Sequence, residues 1–170
     1  NTLTHGYVLD DDFVVKNRFV EQGVAGIPGI FRSGYFAGFD GSNDKQYRPL
    51  PLATFALEAA AGGADPRTSH LVNVALYVAC AAVTLGLLRR LFAKEHPSVP
   101  LAMALLFAVH PVHTEVVANV KSRDELLAYG LGALALLLVV RDSGASDPLR
   151  LAAAAACFFA ALLSKECAIT

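Results

Sequence analysis

Charge is scarce in this sequence. Of its 170 residues, 17% are Asp, Glu, Lys or Arg, against roughly 25% in ordinary soluble domains. The formal net charge of −1 offers no bulk attraction for a polyanion, so no nucleic-acid partner is expected. Cysteine is scarce as well. Cys80, Cys157 and Cys167 are unclustered, which excludes a disulfide framework and a zinc finger. Two of them lie inside apolar runs, where Cys acts as a small hydrophobe. No HExxH metal motif is present and no signal peptide is visible. The first residue is Asn1 rather than Met, and Thr170 follows directly on an apolar run. The chain therefore reads as a piece of a longer protein. What is abundant is apolar: 55% of residues are hydrophobic and the mean hydropathy is +0.47. That combination points to a membrane protein.

Residues 1–64 differ from the rest. They hold most of the glycines and aromatics, and "AGIPGIFRSGYFAGFDGSNDKQYRPLPL" is turn-rich. An irregular loop domain with short helices is expected, one of them "PLATFALEAAAGG", opened by Pro51 and closed by Gly62 and Gly63. Four apolar segments follow, at 71–88, 99–109, 126–140 and 151–163. Asp65-Pro66 and Asp147-Pro148 are N-cap and first-turn proline signals, and Ser122 with Glu125 has capping-box spacing. Helices are predicted over about 66–92, 98–121, 122–141 and 148–165. Only the first meets the roughly 20-residue requirement for a bilayer outright. A soluble alanine-rich bundle is the competing reading. Against it, the runs lack a polar face, and a chain this short cannot bury four helices that are apolar all round.

If 71–88 crosses a membrane, residues 1–64 and the stretch "AVHPVHTEVVANVKSRDELLA" (108–128) lie on one side. The linkers "RRLFAKEHPS" and "RDSGASDPLR" lie on the other. The linkers carry Arg89, Arg90, Lys94, Arg141 and Arg150, which makes them the cytoplasmic side. Basic residues on the outer side then need another explanation, and an anionic lipid head group is one.

The outer side gathers ionisable residues. These are Asp10, Asp11 and Asp12 after an apolar triplet; Arg48; His70 and Asn73 at the mouth of the first span; His110, His113, Glu115, Asn119, Lys121, Arg123 and Asp124 in the quoted stretch; and Ser164, Lys165 and Glu166 after the last. On a helix beginning at Pro111, Glu115, Asn119 and Arg123 share one face. Each has a plainer reading beside it. The aspartates suit a solvated acidic turn. His110, His113 and Glu115 resemble a metal triad only loosely, because Pro111 breaks their geometry. Arg123-Asp124 and Lys165-Glu166 suit helix-end charges, and His70 an interface histidine. Polar groups gathered at one membrane face are nonetheless costly and usually functional. A transporter would place charges mid-span, and none occurs within 74–88 or 126–140.

"AVHPVHTEVVANVKSRDELLA" resembles the H-P-x-H-T-E…[GS]-R-x-[DE]-x-L-A signature of the transmembrane and tetratricopeptide-repeat O-mannosyltransferase family. "YVLDDDFVVKN" is similar to that family's first-loop acidic motif, "YRPLPLATFALE" to its Y-R-P-L segment, "HLVNVALY" to its H-x-x-N span, and "LLSKECAI" to its K-E segment. The motifs run in family order over nearly the whole chain. The resemblance implies an all-α integral membrane protein with a GT-C-type multi-helix domain and a partly helical extracytoplasmic first loop. It also implies further helices and tetratricopeptide repeats that this chain does not carry, and a fragment inactive by itself. Low Lys with high Ala and Gly suits a GC-rich bacterial source.

The implied activity is transfer of a sugar, mannose in the family, from a polyprenyl-phosphate donor to protein Ser or Thr hydroxyls with inversion. The partners are that donor, an acceptor protein and the lipid bilayer. By motif, Asp10 and Asp11 align with the paired acids of the first loop, with Asp12 leaving the register open by one. One carboxylate would accept the hydroxyl proton. Arg123, Lys121, Arg48 and Lys165 would bind the donor phosphate, with Arg123 best suited. His110, His113, Glu115, Asp124, Glu166 and His70 would support them. The resemblance fixes no cofactor, and a divalent metal is compatible without being implied. A non-catalytic membrane scaffold of the same fold is the alternative.

Overall fold

A computed structural model describes residues 5–41, 45–63, 65–140 and 147–169. Every regular element among them is helical. Three single-turn helices, α1 (Asp12–Val15), α2 (Arg18–Glu21) and α3 (Ile27–Ile30), precede α4 (Pro49–Gly62). Then come α5 (Pro66–Leu91), α6 (Ser98–Ala108), α7 (His113–Ala118), α8 (Arg123–Val139) and α9 (Pro148–Ser164).

The first loop folds around its own apolar core. Val14, Val20, Ile30 and Tyr35 pack on Leu52, Phe55 and Ala56 of α4, and Val120 from the far side of the chain completes the cluster. Asn17 fixes the loop's path. Its buried amide caps α2 through the Phe19 N–H at 3.0 Å and reaches the Tyr35 carbonyl at 3.4 Å. Gly38 passes so close that a Cβ there would stand 2.0 Å from Asn17 Oδ1. α4 opens two residues earlier than the sequence suggests, at Pro49, and ends at Gly63 with φ +82°, a backbone that glycine tolerates best.

The two Asp-Pro starts form as expected. Asp65 accepts the Arg67 and Thr68 N–H groups and Asp147 accepts that of Leu149. The Ser122 capping box does not form. Ser122 makes no side-chain cap, and Asp124 Oδ1 instead takes the Glu125 N–H at 2.8 Å. The expected 98–121 helix is divided. α6 ends at Ala108, because Pro111 has no N–H for the turn behind it. α7 is only six residues long, and Asn119 turns extended with ψ 117°. Glu115, Asn119 and Arg123 therefore do not share one helical face.

α5, α8 and α9 form the main packing unit. Cys80 Sγ would meet a Cβ at Gly130 at 2.9 Å, so this glycine sets the α5–α8 approach. Burial on α5 is inverted relative to a soluble core. Ser69, His70, Asn73, Cys80 and Thr84 face inward, while Leu71 and Val78 are 58% and 62% exposed. Among the described residues, α5 alone is long and apolar enough to cross a membrane.

Candidate functional site

The segment Val120–Ser122 is a single 3₁₀ turn leading into α8. The residues on it and just after it fan out in three directions. Lys121 points to the first loop, Arg123 into the core, and Asp124 toward α4 and α9.

Asp11 fastens the first direction. Its carboxylate is fully buried. One oxygen accepts the Lys121 N–H at 2.9 Å, and the other accepts the Val8 N–H at 3.0 Å. Asp10, one residue earlier, stays at the surface and pairs with Lys121 Nζ at 3.2 Å, with 54% of its side chain exposed. The same ammonium lies 5.6 Å from the centre of the Phe13 ring. Asp12 turns away and pairs with Lys16 one helical turn on, at 2.7 Å. The three aspartates thus have three different environments, which their spacing alone left open.

Arg123 occupies the second direction, and it is not where a donor phosphate could reach it. Its side chain is 0% exposed. Nη1 pairs with Glu58 Oε1 at 2.6 Å and donates to Thr54 Oγ1 at 3.2 Å. Nε donates to Asn73 Oδ1 at 2.9 Å and Nη2 to the Ser69 carbonyl at 3.1 Å. The guanidinium lies 3.8 Å over the Phe55 ring. Asn73 then donates to the Asn119 and Val120 carbonyls, satisfying the backbone where α7 stops. Ser69 donates to Glu58, and Tyr7 shares a hydrogen bond with Ser69 at 3.3 Å. A fork with five donors suits such a set of acceptors. Glu58 is the residue that sequence reasoning missed. It is the single acid in the apolar segment 49–62, and a lone carboxylate on such a helix needs a buried cation.

The third direction holds a denser ionic group. Arg48 Nη1 pairs with Asp124 at 2.8 Å, and its Nη2 pairs with Glu166 at 2.8 Å. Lys165 contacts Glu125 and lies 3.6 Å from Asp124. Burial works to lower the Arg48 pKa, but Glu166 and Asp124 outweigh it, and the net shift is upward. Burial raises that of Glu166, and its hydrogen bond and charge contact with Arg48 outweigh this, so the carboxyl sits below its ordinary value. The two cations are 14% and 21% exposed, whereas Glu166 and Glu125 are 50% and 42% exposed. Glu166 and Glu125 are thus the outer partners and Asp124, 4% exposed, the inner one.

His110, His113 and Glu115 do not join these groups. His113 packs against Phe107 and Tyr77, ring centres 4.5 and 5.6 Å away. With Glu125 and Tyr129 these rings line a cavity of about 190 Å³. His110 is exposed and takes the Val112 N–H at 3.2 Å. Glu115 is exposed on α7. His70 is buried, edge-on to His5 at 6.5 Å. Among the described residues, no three His, Cys, Asp or Glu are grouped as metal ligands. Arg141 lies outside the described residues.

No family model and no solved structure matches the chain. Curated proteins do. "Protein O-mannosyl-transferase Tmtc1" of Drosophila melanogaster is 35% identical over the whole of this chain and 20% of its own length. "Protein O-mannosyl-transferase TMTC1" of Homo sapiens is 34% identical over 80% of the chain and 16% of its own length. "Protein O-mannosyl-transferase TMTC3" of Mus musculus is 31% identical over 85% of the chain and 16% of its own length. The chain thus spans a fifth or less of these relatives. It belongs to the transmembrane and tetratricopeptide-repeat O-mannosyltransferase family.

Proposed function

We propose that this chain carries the donor-binding and proton-accepting face of a membrane glycosyltransferase. The enzyme moves mannose from a polyprenyl-phosphate donor to protein Ser or Thr hydroxyls with inversion. The relatives' names support transfer of mannose to proteins. The observation that carries the site is the exposed Asp10 carboxylate held beside Lys121 by the buried Asp11. The inverted burial of α5 supports a bilayer setting, with this face extracytoplasmic by the charge of the linkers.

In this reading the acceptor hydroxyl attacks the anomeric carbon on the side opposite the phosphate. Asp10, through the oxygen not engaged by Lys121, takes the hydroxyl proton as the new C–O bond forms. The bond from the anomeric carbon to the phosphate oxygen breaks, and polyprenyl phosphate leaves with the electron pair. Lys121, Lys165 and Arg48 neutralise that phosphate, Glu166 and Glu125 yielding their places to it. Arg123 is a positioning residue. It holds the turn that aims Lys121 outward.

Radiolabelled mannose transfer from polyprenyl-phosphate mannose by the protein in membranes tests this. Lys165→Met is expected to lower kcat by about 10²- to 10³-fold, as loss of one charge-stabilising donor does. Wild-type protein inactive on several polyprenyl-phosphate sugars would favour the scaffold reading.

A further inference from the structure

Arg90 at the end of α5 and Arg150 in the first turn of α9 converge on the same two acceptors. Arg90 Nη1 donates to the Leu137 carbonyl and, at 3.2 Å, to that of Val140. Arg150 Nη2 donates to both carbonyls at 3.3 Å. These are the open carbonyls at the C-terminus of α8, where a cation is favoured. One helix end carries only about half a negative charge, yet two guanidiniums share it. Among the described residues neither forms an ion pair. Nε and Nη2 of Arg90 and Nε and Nη1 of Arg150 have no hydrogen-bond acceptor there either.

A second observation lies beside the pair. α8 and α9 enclose an apolar groove of about 460 Å³, hollowed by Gly132, Ala135, Ala154 and Ala155 and walled by Phe158. Val139 and Leu151 form the end of the groove next to the pair. They are the chain neighbours of Val140 and Arg150. A cationic pair thus sits at the end of an apolar groove between two helices.

We propose that Arg90, Arg150 and this groove bind an anionic phospholipid, its phosphate on the guanidinium donors that no described residue engages and one acyl chain along α8 and α9. Arginine grips phosphate oxygens bidentately, and the slot between small residues supplies the apolar counterpart. The site lies at the opposite end of α8 from Lys121 and Arg48, so it is separate from the candidate transfer site. The inference rests on the reading that α5, α8 and α9 lie in a bilayer.

The full chain is reconstituted in vesicles of phosphatidylcholine alone and of phosphatidylcholine with phosphatidylglycerol. Retained lipid is then identified by native mass spectrometry. The expected result is preferential retention of phosphatidylglycerol. Retention should fall about fivefold for Arg90→Gln or Arg150→Gln and about thirtyfold for both, from the usual gain per basic residue at an anionic surface. Ala154→Phe fills the slot, leaves both arginines in place, and should also lower retention. It decides the matter if circular dichroism shows the double variant unfolded. A chain that fails to insert into phosphatidylcholine overturns the bilayer reading and the lipid site with it. A chain that inserts, yet holds phosphatidylglycerol no better than these variants do, overturns the lipid site alone. Displacement of the lipid by added inorganic phosphate would overturn the lipid as occupant in favour of a free anion.

Discussion

Arg123 shows how far a residue's chemistry depends on its surroundings. By sequence alone it is the residue best suited to bind the donor phosphate. Its position makes it the keystone of a buried network that joins α4, α5 and the turn before α8. Arg123→Met strands the Glu58 carboxylate and removes the donor to Thr54, Asn73 and the Ser69 carbonyl, and a loss of about 3–5 kcal/mol is expected in denaturant unfolding in detergent. Arg123→Lys should restore little, because an ammonium cannot span Asn73, Ser69 and Glu58 together. Adding Glu58→Met to Arg123→Met should recover much of the loss, since an apolar pair tolerates the same space. A single-variant loss under about 1 kcal/mol would place this pair among weak surface contacts instead. Residue scale also separates the aspartates. Asp11 is consumed by two backbone N–H groups, Asp12 pairs with Lys16 on its own helical turn, and Asp10, the more exposed of the two outer aspartates, pairs with Lys121 across the chain.

Among the elements, the path of the first loop depends on the buried Asn17 amide and its close approach to Gly38. Gly38→Ala would drive a methyl into the Asn17 amide. It should release the cap of α2 and speed limited proteolysis within residues 5–41, while α5 and α8 stay protected. The Arg48–Glu166 contact gives a pH test. Glu166 has a folded pKa below its ordinary 4.5. Its contribution is therefore full above that ordinary value and is lost as the pH falls through the lower folded value. Protease protection of the Lys45–Arg48 segment should hold at neutral pH and fall only below about pH 4.5. Glu166→Gln should show the weaker protection at every pH.

The same elements show what was legible beforehand. Asp-Pro pairs mark helix starts through a local hydrogen bond, so α5 and α9 begin where the sequence places them. Pro111 and the extended Asn119 divide the predicted 98–121 helix for a non-local reason. The Asn119 and Val120 carbonyls are taken by Asn73, 46 and 47 residues away. Topology alone places Asp10, Arg48, Lys121, Asp124, Lys165 and Glu166 toward one end of the bundle, but not their division into an Asp10–Lys121 pair and a separate group around Arg48 and Asp124. The inward turn of Arg123 and the aromatic packing of His113 were not, because each depends on partners that no spacing rule connects.

At the scale of the molecule, α5 is turned inside out, and large apolar side chains of α6 and α9 join it in facing outward. Polar side chains of α5 line the interior while Leu71, Val78, Leu106, Leu149 and Phe159 face outward. Hydrocarbon around the bundle would make this distribution favourable, and water would not. In the proposed reading both ends of α8 are functional surfaces, one at the ionic groups around Lys121–Glu125 and another where Arg90 and Arg150 meet the Leu137 and Val140 carbonyls. In the proposed mechanism the exposed aspartate of the first loop, and not its buried neighbour, accepts the proton. Mannose transfer by Asp10→Asn, measured at matched expression beside protease protection of the first loop, tests it most directly. The predicted result is a fall in kcat of about 10²- to 10⁴-fold with donor binding and loop protection kept. Undiminished transfer by Asp10→Asn would contradict the claim.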